Sequence, residues 1–472
     1  MDIAPILRHL QRPARLQVYS SPDLAYEVEA KAKEARVGSP AAVYLKTPQP
    51  VDVEPVLETS PADVLRELGV ATTFLTHSPF TPIAQLWAHI RYCATMRPGA
   101  HGFLALTKHA ATDVVHHHKV AQSEQLGIGL ALVVARAVLR RRHPEFVFQA
   151  VDADVALKAG YIEGLADPVM QAPETKKRPD YFLIGRHRKE GRARIHVAVL
   201  ECKGTHYERA DVIKQLGDAC LQVRTVAIGR HRMYGLMVAS RLSTTGITAH
   251  VLDPPGDDGL WEGSEEEFDA LLAGVPEELR WQPRTEDEPQ AAPPPTPQAS
   301  RPPDTPPREP AATQVLEPPA RYEIPPNRSG WFAQVLTRST AAAVLAYAGD
   351  SSTAAAYTTP RQRGYSTDMF PDLEESWTDT AQSRIRLPQG PVLRGTAHHM
   401  PLPSGKTLMI FRGLEARLHR DLADGDLPSY LRKAGRLQRW WRTRRRRAPG
   451  DLFSVGPDGT ALLIRVLDAR RG

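Results

Sequence analysis

Apolar positions recur along this chain with two different periods, and the switches between them set out the expected elements. The run "GIGLALVVARAVL" at 127–139 is apolar almost all round, as a buried helix is, and predicts a core helix over about 123–142. Stretches rich in β-branched and aromatic residues then predict strands at about 145–157, 178–186 and 193–204. A helix over about 208–226 and strands at about 232–242 and 247–254 follow. The order α-β-β-β-α-β-β predicts an α/β unit with a mixed central sheet over residues 106–283. In "HVAVLECKGT" (196–205) alternation puts Val197, Val199, Glu201 and Lys203 on one face, and Ala198, Leu200 and Cys202 on the other.

The flanks read differently. Residues 1–105 form an N-terminal region in which "SPADVLRELG" predicts a helix capped by Ser60, opened by Pro61 and ended by Gly69. "TPIAQLWAHIRYCATM" repeats that opening with Thr81 and Pro82, and no chemistry is legible in either. Residues 284–326 read as a Pro-rich linker, since 289–326 alone hold 14 prolines and too little apolar surface to offset ordering entropy. A separate C-terminal α+β region, 327–472, is expected after it. "GPVLRGTAHHMPLPSGKTLMIFRGL" predicts a hairpin turning at Pro403-Ser404-Gly405, and a basic helix follows at about 427–447.

Composition narrows the class. The 472 residues suffice for two to four domains, and 60 Lys+Arg against 54 Asp+Glu make the chain mildly basic, with net charge +6. Three cysteines without CxxC spacing exclude a disulfide framework or a zinc ribbon and fit a reducing, cytoplasmic setting. The N-terminus lacks an apolar signal core, and the most apolar run is too short to span a bilayer, so no membrane partner is expected.

The chemistry concentrates in "RPDYFLI" (178–184) and "VLECKGT" (199–205). Two opposite charges, Glu201 and Lys203, emerge side by side at the end of an otherwise apolar strand, where desolvation costs more than a simple pair recovers. Asp180 opens the preceding strand after a Pro. If the two strands are neighbours, two carboxylates meet, and a hard divalent cation resolves their repulsion. An ammonium beside that cation suits phosphodiester hydrolysis. A solvated ion-pair cluster at a sheet edge is the competing reading.

Pro179-Asp180 followed by Glu201-Cys202-Lys203 resembles the PD-(D/E)XK nuclease superfamily over about residues 120–255. The resemblance implies a restriction-endonuclease-like α-β-β-β-α-β core. It implies Mg²⁺, with Mn²⁺ able to substitute, held by Asp180, Glu201 and the main-chain carbonyl of Cys202, with Lys203 assisting the attacking water. It also points to Glu124 on the first helix, with Ser123 as its cap, and to Gln215 on the helix after the Lys strand.

Around this core, Asp152 and Asp154 are expected to share a strand-end face. His206 and Tyr207 lie near the motif. "HHHK" at 116–119 fans around a helix and cannot converge on one ion. At the C-terminus, Leu427, Tyr430, Leu431, Ala434, Leu437 and Trp441 recur at helical spacing, and nine basic residues with no acidic one occupy 431–447. Arg432, Lys433, Arg436, Arg439, Arg442, Arg444 and Arg445 are the expected DNA-backbone contacts. The expectation is a metal-dependent DNA endonuclease. The alternatives are a non-catalytic nucleic-acid-binding module and an interaction scaffold. A homodimer, and a protein partner through either terminal region, stay open.

Overall fold

The computed structural model describes residues 9–10, 12–34, 47–73, 89–159, 170–171, 178–229, 231–273, 322–359, 362, 383–387, 390–447 and 453–467. Thr81, Pro82 and most of the expected linker, 284–321, lie outside them. In chain order the main elements are β1 (Ala14–Tyr19), α1 (Pro22–Glu34), β2 (Val56–Thr59), α2 (Pro61–Ala71), α3 (His116–Arg142), β3 (Val147–Asp152), α4 (Ala153–Lys158), β4 (Tyr181–Lys189), β5 (Arg192–Thr205), α5 (Arg209–Gln222), β6 (Tyr234–Arg241), β7 (Thr248–Asp253), β8 (Gly259–Ser264) and α6 (Glu265–Ala273). The C-terminal part adds α7 (Ser329–Ala348), β9 (Ser383–Arg386), β10 (Val392–Pro401), β11 (Thr407–Glu415), α8 (Ala416–Ala423), α9 (Leu427–Arg447), β12 (Phe453–Val455) and β13 (Thr460–Leu467).

The alternation in β5 decides the layering. Val197 and Val199 pack with Val28 of α1, Val212 and Leu216 of α5 and Leu336 of α7. Ala198 and Leu200 pack on the other side with Leu65 of α2 and with Leu126 and Leu130 of α3. A strand apolar on both faces is thus buried between two helical layers.

The central sheet is mixed, in the order β2-β1-β7-β6-β5-β4-β3. β3, β4 and β5 form an antiparallel meander; after the α5 crossover β6 returns parallel to β5, pairing Tyr234–Arg241 with Ala198–Thr205. β7 lies antiparallel to β6, β1 parallel to β7, and β2 antiparallel to β1. β8 pairs with the opposite end of β5, at Arg192–His196.

Several element boundaries differ from the sequence expectation. α3 begins at His116, not near 123, because its polar opening turns are a solvated part of the helix; Ser123 sits in mid-helix, its Oγ donating to Val120 O at 2.8 Å, and caps nothing. β3 stops at Asp152, whose Oδ1 accepts from Val155 N at 3.1 Å and so starts α4, so Asp152 and Asp154 share no strand face. Ser60 and Pro61 open α2 as expected, with Ser60 Oγ accepting from Asp63 N, but Gly69 does not end it. A Cβ at Gly69 would lie 2.5 Å from the His89 ring, so the glycine serves close packing. Tyr322–Ile324, expected in the linker, is a strand beside Val226–Ile228.

The C-terminal sheet is separate from the central one, in the order β9-β10-β11-β13-β12. The hairpin turns where predicted, with Gly405 at φ +75°. The cores, however, are shared. Phe332 of α7 meets Phe182 of β4 edge to face with centroids 5.4 Å apart. Buried Arg66 of α2 bonds Glu67 at 2.7 Å and Ser454 Oγ of β12 at 3.0 Å, and Glu67 also pairs with Arg136 of α3 at 2.9 Å. The segments 1–105, 106–283 and 327–472 therefore interlock, and β1 and β2 from the first of them extend the central sheet.

Candidate active site

β4 and β5 are joined by Glu190-Gly191 at φ 55° and 78°, the left-handed pair that a two-residue type I′ hairpin turn demands. Their register runs unbroken from Lys189↔Arg192 to Tyr181↔Leu200. One step further sets Asp180 opposite Glu201. Asp180 N donates to Leu200 O at 3.1 Å, and its Oδ2 accepts from Cys202 N at 2.7 Å. The two carboxylates expected from sequence thus meet at one end of the sheet.

Glu201 is completely buried, Lys203 Nζ donates to its Oε1 at 2.5 Å, and its Oε2 has no hydrogen-bond partner among the described residues. Burial, and after it the charge of Asp180, pushes the Glu201 carboxyl up to about 8. Burial raises Asp180 as well; Cys202 N and Lys203 act against that rise, while Asp152 and Glu124 add to it. For Lys203, burial works to lower the ammonium, but the Glu201 charge and hydrogen bond outweigh it and leave the group raised. Cys202 keeps its thiol on the far face, buried and pushed well up by desolvation, while its main chain pairs with Val238 of β6.

The flanking residues fall around this pair. Glu124 is in the third turn of α3, exposed, and near enough for its charge to bear on Asp180. Gln215 of α5 donates from Nε2 to Gly204 O at 3.3 Å, while its Oε1 is buried without a hydrogen-bond partner among the described residues. Asp152 joins the acidic end, its own carboxyl raised by burial, whereas Asp154 turns away to Lys158 at 2.7 Å and Arg178 at 3.2 Å. Sequence reasoning missed what brings α3 here. A Cβ on Gly204 would fall 1.9 Å from Ser123 O, and one on Gly127 2.9 Å from Lys203 O, so two glycines let helix and strand cross in backbone contact. A Gly directly after Lys203 and one at the start of the apolar helical run were the available signals.

A cavity of about 440 Å³ opens beside the end of β5, lined by His116, Lys119, Ser123, His206, Tyr207 and Arg241. His206 and Tyr207 are thus placed where a substrate could reach them, and burial lowers the His206 imidazole. His116 and Lys119 join them, but "HHHK" forms no group able to hold a metal among the described residues.

Asp180, Glu201 and the nearby amide oxygen of Gln215 are hard oxygen donors. An unpartnered Glu201 Oε2 and two carboxyls held up by burial and by neighbouring acidic charge fit a divalent cation, which would relieve both. α9 spans Leu427–Arg447 as predicted, with Leu427, Tyr430, Ala434 and Trp441 buried. Arg432 lies 3.6 Å from Asp269, and Lys433 pairs with Asp421 at 2.8 Å, so both of these cations already face acidic neighbours. The side chains of Arg436, Arg439, Arg442, Arg444 and Arg445 lie outside the described residues. No helix of the described residues is long and apolar enough to cross a membrane. No protein-family model matches the chain, and comparison with curated proteins and with solved structures gave no match.

Proposed function

We propose that this chain is a metal-dependent endonuclease of the PD-(D/E)XK type that hydrolyses phosphodiester bonds in DNA. The observation that carries the reading is the pairing of Asp180 with a fully buried, half-unpartnered Glu201 beside Lys203, at the end of two antiparallel strands. The antiparallel meander β3-β4-β5 with β6 returning parallel through α5 supports the restriction-endonuclease-like core.

Asp180, Glu201 and the Cys202 carbonyl would hold Mg²⁺ or Mn²⁺. Such an ion, when bound, acidifies a water and neutralises phosphoryl oxygens. The chain's own groups do the rest. Lys203, held beside Glu201 by its hydrogen bond to Oε1, would direct its ammonium at the attacking oxygen and at the charge that develops on phosphorus-bound oxygens. Gln215 holds Gly204, and with it the end of the strand, in place. Glu124 adds negative charge beside Asp180, and His206, Tyr207 and Arg241 line the approach.

The test is cleavage of supercoiled plasmid and of single-stranded DNA in Mg²⁺, Mn²⁺ or EDTA, by the wild type and by Lys203→Ala. Cleavage by the wild type that needs metal, and that falls by about 10²–10³-fold in Lys203→Ala, is the expected result. Salt-sensitive binding of DNA by both proteins, with no cleavage by either, replaces this reading with a non-catalytic nucleic-acid-binding module.

A further inference from the structure

The first half of β5, away from the acidic pair, carries a second group of ligating side chains. His143 closes the C-terminus of α3, His196 lies on β5, and Asp258 sits just before β8. One ligating atom from each lies within 4.8 Å of the others, and they are the one such group of histidine, cysteine or carboxylate residues among the described residues. His196 and Glu201 are five strand positions apart, so this group is roughly 16 Å from the acidic pair.

We propose that His143, His196 and Asp258 form a binding site for a borderline transition-metal ion, zinc(II) by preference. Asp258 lies between the two imidazoles. Its Oδ2 is 2.7 Å from His143 Nε2, and its Oδ1 is 3.7 Å from His196 Nδ1. That second distance is too long for a hydrogen bond, and His196 Nδ1 is a buried atom with no hydrogen-bond partner among the described residues. In a tetrahedral site with bonds of about 2.1 Å, ligand atoms stand about 3.4 Å apart. The widest of the present separations, up to 4.8 Å, exceed that, so the three side chains would close onto a bound ion. The side chains of all three residues are about one-sixth to one-fifth exposed, which leaves an entry path and room for water in a fourth position.

The electrostatics are balanced enough to admit a cation. Arg142 Nε lies 3.7 Å from Asp258 Oδ2 and competes for that oxygen, but Arg142 also reaches Asp253 at 3.5 Å and stacks over Tyr234 at 4.0 Å. Asp258 and, after it, Glu145 supply negative charge near His196, against the positive charge of Arg194 and of a protonated His143. Phe146 packs against the His196 ring at 4.3 Å and fixes its plane. Two imidazoles and one carboxylate select zinc(II) or cobalt(II) over Mg²⁺, whereas the all-oxygen acidic pair has the opposite preference. An ion here would tie the end of α3, the first half of β5 and the start of β8 into one rim.

The experiment uses the full chain, stripped of metal and kept in excess Mg²⁺ so that the acidic pair is not the site observed. Co²⁺ is titrated while its visible ligand-field absorption is followed, and Zn²⁺ is then added in competition with a chromophoric chelator. One equivalent of Co²⁺, displaced by Zn²⁺, is expected. His196→Gln and Asp258→Asn should each weaken binding at least about tenfold, since even partners of a metal's ligands cost about 10–100-fold. Glu201→Gln should leave it unchanged. Should His196→Gln fail to fold by circular dichroism, the isosteric Asp258→Asn carries the comparison. The absence of a cobalt band together with no Zn²⁺ retained, or equal uptake by the wild type and Asp258→Asn, overturns the proposal.

Discussion

At the scale of single residues, Glu201 governs the site. It is a carboxyl with no exposure, titrating near 8 against an ordinary 4.5. Between those values the folded, metal-free chain holds a proton that the unfolded chain has lost. The stability this contributes is complete below about pH 4.5 and drains away as pH rises through 8. Glu201→Gln removes that slope. The melting temperature of the metal-free wild type should therefore fall more steeply between about pH 5 and pH 8 than that of Glu201→Gln; equal slopes in differential scanning calorimetry would refute the assignment. Because a cation must displace the same proton, Mg²⁺ affinity measured by calorimetric titration should rise with pH up to about 8. The identities of Asp180, Glu201 and Lys203 were legible in the sequence, because strand alternation places Glu201 and Lys203 together. The burial that moves Glu201 so far was not, since it depends on α5 packing on the strand and on β4 and β6 flanking it.

At the scale of elements, the crossing of α3 over the end of β5 decides whether Glu124 belongs to the site. Gly204 has Ser123 O where a Cβ would stand. Gly204→Ala should therefore push α3 off the strand, cost about 1–3 kcal/mol or more in urea unfolding, and reduce cleavage without altering any charged group. Unchanged stability would mean that the helix and strand are not in backbone contact. Helix α3 also shows why boundaries are harder to read than elements. The apolar run predicted its core, but its first two turns, His116 onward, are polar and carry no apolar period to mark where the helix begins. Likewise Asp154 reads as a strand residue until the Asp152 side chain is seen capping α4.

At the scale of the whole molecule, the C-terminal part is not an appendage. Phe332 inserts against Phe182 of the central sheet, and Tyr430 of α9 accepts from Gln149 of β3 at 3.3 Å while donating to Asp458 O at 2.9 Å. Phe332→Ala should cost about 3–5 kcal/mol, and the loss should appear in one cooperative transition shared by both parts. Two resolved transitions, with only one of them shifted, would show that the parts are independent. The basic end of α9 makes a different demand. If it grips DNA, replacing Arg442, Arg444 and Arg445 with Ala should reduce the slope of log affinity against log salt by about 0.9 for each phosphate that is no longer neutralised. An unaltered slope removes this helix from the DNA interface.

By itself the sequence determined the periodic elements of the α/β unit, its alternating faces and the trio Asp180, Glu201 and Lys203. These depend on local periodicity and on charges placed one strand-repeat apart, which short stretches of chain encode. The tertiary structure alone decided that β1 and β2 from the N-terminal region extend the central sheet. It alone brought together His143, His196 and Asp258, which are 53 and 62 residues apart along the chain and carry no common motif. It also decided that cores expected to be separate are continuous. Such contacts join segments that no pattern of period two or 3.6 connects, and only the burial of one apolar face against another selects them.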